Sequence, residues 1–193
     1  HRYTHRIRLG VDRAPAGAPV REKRKPRIAI IVDDLGYDRG LACAFAGVDL
    51  PLCFSVLTMA PRTEEVARVA ETRHRELMLH IPMEPKGYPE LNPGPGALLN
   101  RMDREEIRSL LSRHLAQMPG ATGANNHMGS SFTEHAEQTA VVLEELKRKG
   151  LFFVDSKTSS HSVAYRLARE MGIRTTQRNV FLDNEPSEVS ISR

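Results

Sequence analysis

The chain has no tryptophan, only four tyrosines and six phenylalanines among 193 residues, and only two cysteines. It also has no apolar run near the roughly 20 residues that span a bilayer. So few aromatics leave little on which nucleobases could stack, and no nucleic-acid-binding motif is present, which discounts nucleic acid as a partner. Cys43 and Cys53 lack a C-x-x-C spacing and lie in apolar surroundings, where a free buried thiol is the usual state. Nothing supports a disulfide between them. No charged-then-apolar secretory leader opens the chain. It starts at His1 rather than at a methionine, so a removed upstream segment is expected, one that could have held a leader or membrane anchor.

What is present is an ordinary globular composition, 40% hydrophobic, at a length that suggests one domain. The net charge of +4 is misleading. Nine of the 28 basic side chains and two of the 24 acidic ones precede residue 28, so residues 28–193 hold 19 against 22, a net of −3. The basicity belongs to residues 1–27, which read as a flexible linker with Pro15 and Pro19. Such a segment is either a plain spacer or one that lies against an anionic membrane surface. Residues 28–193 read as the folded domain.

Within that domain, apolar β-prone runs alternate with amphipathic stretches. Strands are expected at 28–32, 53–57, 76–80, 151–154 and 178–182. Thr63 is placed to cap a helix with Val66, Val69 and Ala70 inward. Asp103 and Glu106 form an acidic capping box ahead of Ile107, Leu110, Leu111, Leu115 and Met118, which share one face. Further helices are expected from Thr133 to Lys149 and from Val163 to Met171, ended by Gly150 and Gly172. Residues 82–96, with four prolines after Pro82, read as an irregular loop facing substrate or simply solvent. Alternation of this kind implies an α/β fold with a parallel sheet or barrel.

Polar clusters close these runs. They are Asp33-Asp34, His80 with Glu84, Asp155-Ser156-Lys157 and Asp183-Asn184, with Asn125-Asn126-His127 and Ser130 in a glycine-flanked stretch. Parallel α/β folds gather ligand-binding groups at the carboxyl ends of their strands, so one rim can collect all five. Two adjacent carboxylates are costly to bury without a cation or a shared proton. Two imidazoles and one carboxylate can hold a metal and leave a position for water. With Asp34 as ligand, Asp33 is free to act as general base; the reverse division is also possible. Lys157 would bind an anionic substrate group or pair with a carboxylate, and Asp155 would orient a ligand or that lysine. Gly129-Ser130 lacks the G-x-S-x-G elbow of serine hydrolases. His74, His114, His135 and His161 are expected to face solvent.

At these residues the chain resembles the divergent polysaccharide deacetylases, distant relatives of NodB-type carbohydrate esterases. The matching segments are Ile30 to Gly36, Leu79 to Pro85, Asn126 to Ser130 and Phe153 to Thr158, with Asp183 beyond them. The resemblance implies a NodB-like distorted β/α barrel with a divalent metal, usually zinc, that removes acetyl groups from an envelope polysaccharide. It implies Asp34, His80 and His127 as metal ligands and Asp33 as the base that works on metal-activated water. Glu84, Ser130, Asp155 and Lys157 are then candidates for substrate binding, and a bacterial envelope or periplasmic location is expected. Two departures stand out. NodB-type enzymes take both histidines from one short H-x-x-x-H-like motif, whereas His80 and His127 are far apart. Relatives also continue to a glycine-histidine-proline segment whose histidine would serve as general acid, so the barrel is expected to be incomplete at Arg193. The rival reading is a catalytically silent envelope module that keeps the fold and binds glycan or protein; a metallophosphoesterase is weaker, because no two-metal signature is present.

Overall fold

The computed structural model describes residues 28–182. The basic segment 1–27 and the Asp183 cluster lie outside the described residues. Six strands and five helices alternate: β1 (Ile30–Leu35), α1 (Arg39–Ala46), β2 (Leu52–Leu57), α2 (Thr63–Thr72), β3 (Glu76–Met83), α3 (Arg104–Gln117), β4 (Gly123–Met128), α4 (Ala136–Arg148), β5 (Phe152–Asp155), α5 (Ala164–Glu170) and β6 (Thr175–Gln177). Every neighbouring pair is parallel and the spatial order is the chain order, β1 to β6. The sheet curls into a half-barrel, an incomplete α/β barrel consistent with the NodB-like fold that the resemblance implied.

Strand periodicity divides this sheet into two faces. Phe54, Leu77, Leu79, Ile81, Ala124 and Phe153 share one face and are almost fully buried. They form a single core with Val66 and Ala70 of α2, Ile107 and Leu111 of α3, Leu143 and Leu146 of α4, and Ala164 and Ala168 of α5. The alternate positions, Ser55, His80, Asn125 and His127, lie on the opposite face. The capping box at Asp103 is present in full, with Glu106 N–H on the Asp103 carboxylate and Asp103 N–H on the Glu106 carboxylate, both at 2.9 Å.

Several sequence expectations are corrected. The last strand is β6 at 175–177, not 178–182: Thr175 and Thr176 supply the β-branched pair. Arg178 follows the strand, its N–H still donating to Asp155 O (2.9 Å) and its guanidinium 3.5 Å from the Phe181 ring centre. Thr63 does not cap α2 but is its first residue, and its hydroxyl donates back to Leu57 O (2.7 Å) and Ala60 O (2.9 Å). The helix expected from Thr133 begins only at Ala136, after a short 3-10 turn over Phe132–Glu134. Strand β3 runs through Pro82 to Met83. The pairing of β2 with β3 stops at Leu57 opposite His80, so the missing Pro82 N–H has no strand to serve on that side. Cys43 and Cys53 are free thiols, and burial, helped by the nearby Glu76 charge, pushes the Cys53 thiol up to about 12. No described helix is long and apolar enough to cross a membrane.

Candidate metal centre

Asp34 reaches its position through a local irregularity of β1. The register with β2 shifts between Val32 and Leu35, and Asp34 itself has φ +54°, a conformation that aspartate tolerates better than most residues. Gly36 follows at φ +132°, where a Cβ would stand 3.0 Å from Ala60 Cβ and 3.1 Å from Leu57 O, so only glycine lets this turn lie against the end of β2. His80 and His127 come from adjacent strands. His80 pairs in register with Asn125, and His127 is two residues further along β4, hence on the same face.

The three side chains converge. Asp34 Oδ1 lies 2.8 Å from His127 Nδ1 and 3.2 Å from His80 Nε2, and those two nitrogens are 3.2 Å apart. The His80 ring meets the His127 ring edge-on, with centres 5.0 Å apart. His80 is buried, His127 half-buried and Asp34 exposed, so the cluster has one open side. Hydrogen bonds from His127 and then from His80, joined by their charges when protonated, hold the Asp34 carboxyl well below the usual carboxylate range and outweigh its partial burial.

The orientation of His80 is fixed from behind. Its Nδ1 lies 2.8 Å from Asn125 Oδ1, which also accepts a 2.6 Å hydrogen bond from Ser55 Oγ. A carboxamide oxygen can only accept, so His80 Nδ1 carries a proton and donates. His80 Nε2 therefore faces Asp34 either with a second proton, as an imidazolium, or with a lone pair. In the second state a carboxylate oxygen and imidazole nitrogen converge as cation ligands. Their separations of 2.8–3.2 Å approach the about 3.3 Å edge of a tetrahedron around zinc. The donor set fits a divalent metal, and Asn125 and Ser55 supply the outer support that such histidines need.

The other sequence candidates are placed as follows. Asp33 is half-buried beside Asp34 in β1. Glu84 follows β3, and its carboxylate accepts from Asn100 N–H (2.8 Å) and Asn100 Nδ2 (2.9 Å), which ties down the return of the long loop. Ser130 Oγ accepts from Lys86 N–H at 3.1 Å, so it too anchors that loop. Asp155 is buried at the end of β5 and accepts from Lys157 N–H (2.8 Å), Ser162 Oγ (2.7 Å) and Tyr165 N–H (3.2 Å), which organises the turn into α5. Lys157 is exposed with φ +47°; its carbonyl accepts from Arg178. His114 corrects an expectation outright: it is fully buried in α3, with Nε2 donating to Gly96 O at 2.9 Å. Burial pushes it down to about 4. Sequence reasoning passed over Ser55, and it named Asn125 without a role.

An incomplete α/β barrel with a carboxylate and two imidazoles gathered at the carboxyl rim of its strands is thus the class of domain that fold and site define. The chain belongs to the divergent polysaccharide deacetylase family, whose model matches residues 30–193. It is 31% identical over 165 residues to the uncharacterized protein YibQ of Escherichia coli, a match that covers 86% of this chain and 51% of YibQ. It is 28% identical over 167 residues to an uncharacterized protein of Haemophilus influenzae, covering 86% of this chain and 59% of that one. The chain therefore spans between half and three-fifths of the length of these curated relatives. The crystal structure of the uncharacterized protein ATU2773 from Agrobacterium tumefaciens C58 has the same fold, with a TM-score of 0.80 and 29% identity, over 90% of this chain and 71% of that one.

Proposed function

We propose that this domain belongs to a metal-dependent hydrolase that removes acetyl groups from an envelope polysaccharide. One observation carries the reading: Asp34, His80 and His127, drawn from three strands, bring one oxygen and two nitrogens within 3.2 Å of one another on an open rim. Those three residues would hold a divalent cation, and zinc suits a donor set of two imidazoles and one carboxylate. Such a cation, when bound, polarises an acyl carbonyl and eases deprotonation of water. Asp33 takes the proton of the attacking water on its carboxylate, as its position next to Asp34 allows. Asn125 and Ser55 keep His80 in the tautomer whose Nε2 faces the site. The basic segment 1–27 would lie against an anionic membrane surface, in keeping with work on an envelope glycan in the periplasm.

A second reading, a glycan- or protein-binding module without turnover, is favoured by a different observation. Glu84 and Asp155, both candidates for substrate contact, spend their carboxylates on hydrogen bonds within the fold. The test is acetate release from chito-oligosaccharides and peptidoglycan fragments by the metal-loaded protein, with and without chelator. Chelator-sensitive release that Asp33→Asn abolishes supports the hydrolase. Glycan binding that survives Asp33→Asn, with no acetate from any version of the protein, supports the silent module.

A further inference from the structure

Tyr37 stands three positions after Asp34, in the turn between β1 and α1, and 54% of it is exposed. Its backbone is held on both sides. Gly36 O accepts Arg62 N–H at 2.9 Å, and the Asp38 carboxylate caps α1 by accepting from Gly40 N–H (2.6 Å) and Leu41 N–H (3.2 Å). A large, partly apolar ring is thus presented to solvent from a fixed turn that directly follows the strand end bearing Asp34.

The long loop after β3 comes close to the hydroxyl end of this side chain. It is fastened near β4, where Lys86 N–H donates to Ser130 Oγ and the Lys86 ammonium pairs with Glu134 at 2.8 Å. Further on it reaches the β1 turn, because a Cβ on Gly94 would lie 3.8 Å from the Tyr37 hydroxyl. It then passes Met59 beyond β2, and Gly96 O accepts from His114; a Cβ at Gly96 would come 2.9 Å from His114 Cε1. The loop returns to β3 through Leu98 N–H on Pro82 O (2.9 Å) and Glu84 N–H on Leu98 O (2.9 Å). One loop thus links the ends of β1, β2, β3 and β4, three of which carry the cluster. The same loop exposes Tyr88 (37%) and Leu91 (58%).

A single exposed apolar side chain is ordinary. An exposed tyrosine that joins a ligand-bearing turn to a pinned loop at the rim of a polar cluster is a different matter. Ligand sites combine apolar and aromatic walls with a few convergent polar groups. Of the chain's four tyrosines, Tyr37 and Tyr88 stand on these two rim segments. A pyranose ring offers a face of C–H groups that packs on an aromatic π-face while its hydroxyls stay in water. We propose that Tyr37 is a sugar-stacking residue, which seats a pyranose ring against the rim so that a group on that ring reaches the Asp34 cluster. The inference rests on the glycan reading above and adds to it the residue that recognises the ring.

The test titrates the zinc-loaded full chain, as wild type and as Tyr37→Ala, Tyr37→Leu and Tyr37→Phe, with chito-oligosaccharides and with peptidoglycan fragments by calorimetry. The expected result is that Tyr37→Ala and Tyr37→Leu weaken binding about fivefold to tenfold, and Tyr37→Phe stays within about twofold, since the ring face and not the hydroxyl carries the contact. Zinc affinity should be equal in all four. Binding by Tyr37→Ala within about twofold of wild type overturns the stacking role and leaves the glycan reading standing; equal losses in Tyr37→Phe and Tyr37→Ala overturn it as well, because the hydroxyl would then be what matters. A wild-type chain that takes up zinc but binds neither probe overturns both the stacking role and the glycan reading.

Discussion

Two faces of one sheet, built from alternate residues of the same strands, differ in almost everything. On the helix-covered face, Leu77, Leu79, Ile81 and Phe153 pack into a continuous apolar core. On the other, Ser55, Asn125 and His80 form a buried chain of hydrogen bonds that ends at His127 and Asp34 on the rim. The first face is held by burial, which is non-directional and tolerates repacking. The second depends on direction: each buried donor needs its acceptor, and a lost partner leaves the other stranded. A change on the helix-covered face should therefore cost stability and spare the site, whereas one on the opposite face should cost the site more than the fold.

The largest expected effect comes from the helix-covered face. Leu79→Ala removes a fully buried side chain and should destabilise the domain by about 2–5 kcal/mol in urea denaturation, with zinc affinity of the folded fraction unchanged. A loss of zinc affinity in that variant would break the division between the faces.

His114 sharpens the comparison, because it is a polar group buried on the helix side. Its proton affinity falls from an ordinary value near about 6.5 in the unfolded chain to about 4 in the fold. Between those values the unfolded chain binds a proton that the folded chain does not, so stability rises with pH. The contribution is fully present above about pH 6.5 and is lost as pH falls toward 4, about 3 kcal/mol in all. His114→Leu should flatten the pH dependence of unfolding in that window; an unchanged slope would show that His114 is not held neutral.

A smaller change in stability, with the larger change in the site, is expected at Asn125. Asn125→Ala releases His80 from its fixed tautomer and should weaken zinc binding about 10- to 100-fold, while costing the fold about 1–3 kcal/mol. Ser55→Ala, one step further from the cluster, should act in the same direction and less.

Legibility followed the same division. Strands β1, β3 and β5 were visible because apolar, β-prone runs ended in charged or imidazole residues. Asp34 and His80 were singled out for that reason and His127 from its glycine-flanked stretch, and the structure brings all three together. Strand β4 carried no such signal, since Gly-Ala-Asn-Asn-His-Met lacks β-branched residues and is held by its neighbours on both sides. The roles of Asn125 and Ser55 are those of orienting groups, which no spacing announces. Once β4 is known, the two-residue period alone would have set Asn125 beside His127 on one face. Apolar Val180-Phe181-Leu182 drew the last strand away from Thr175 and Thr176. His114 was readable and misread: it lies three residues after Leu111, four after Leu110 and seven after Ile107, on the buried stripe of α3.

The most direct measurement of the central claim is a calorimetric zinc titration of the wild-type chain beside Asp34→Ala, His80→Ala and His127→Ala. One ion per chain in the wild type, bound at least about 100-fold more weakly by every variant, is the predicted result. Tight binding of one ion that persists through all three substitutions, or no binding by the folded wild type, would contradict it.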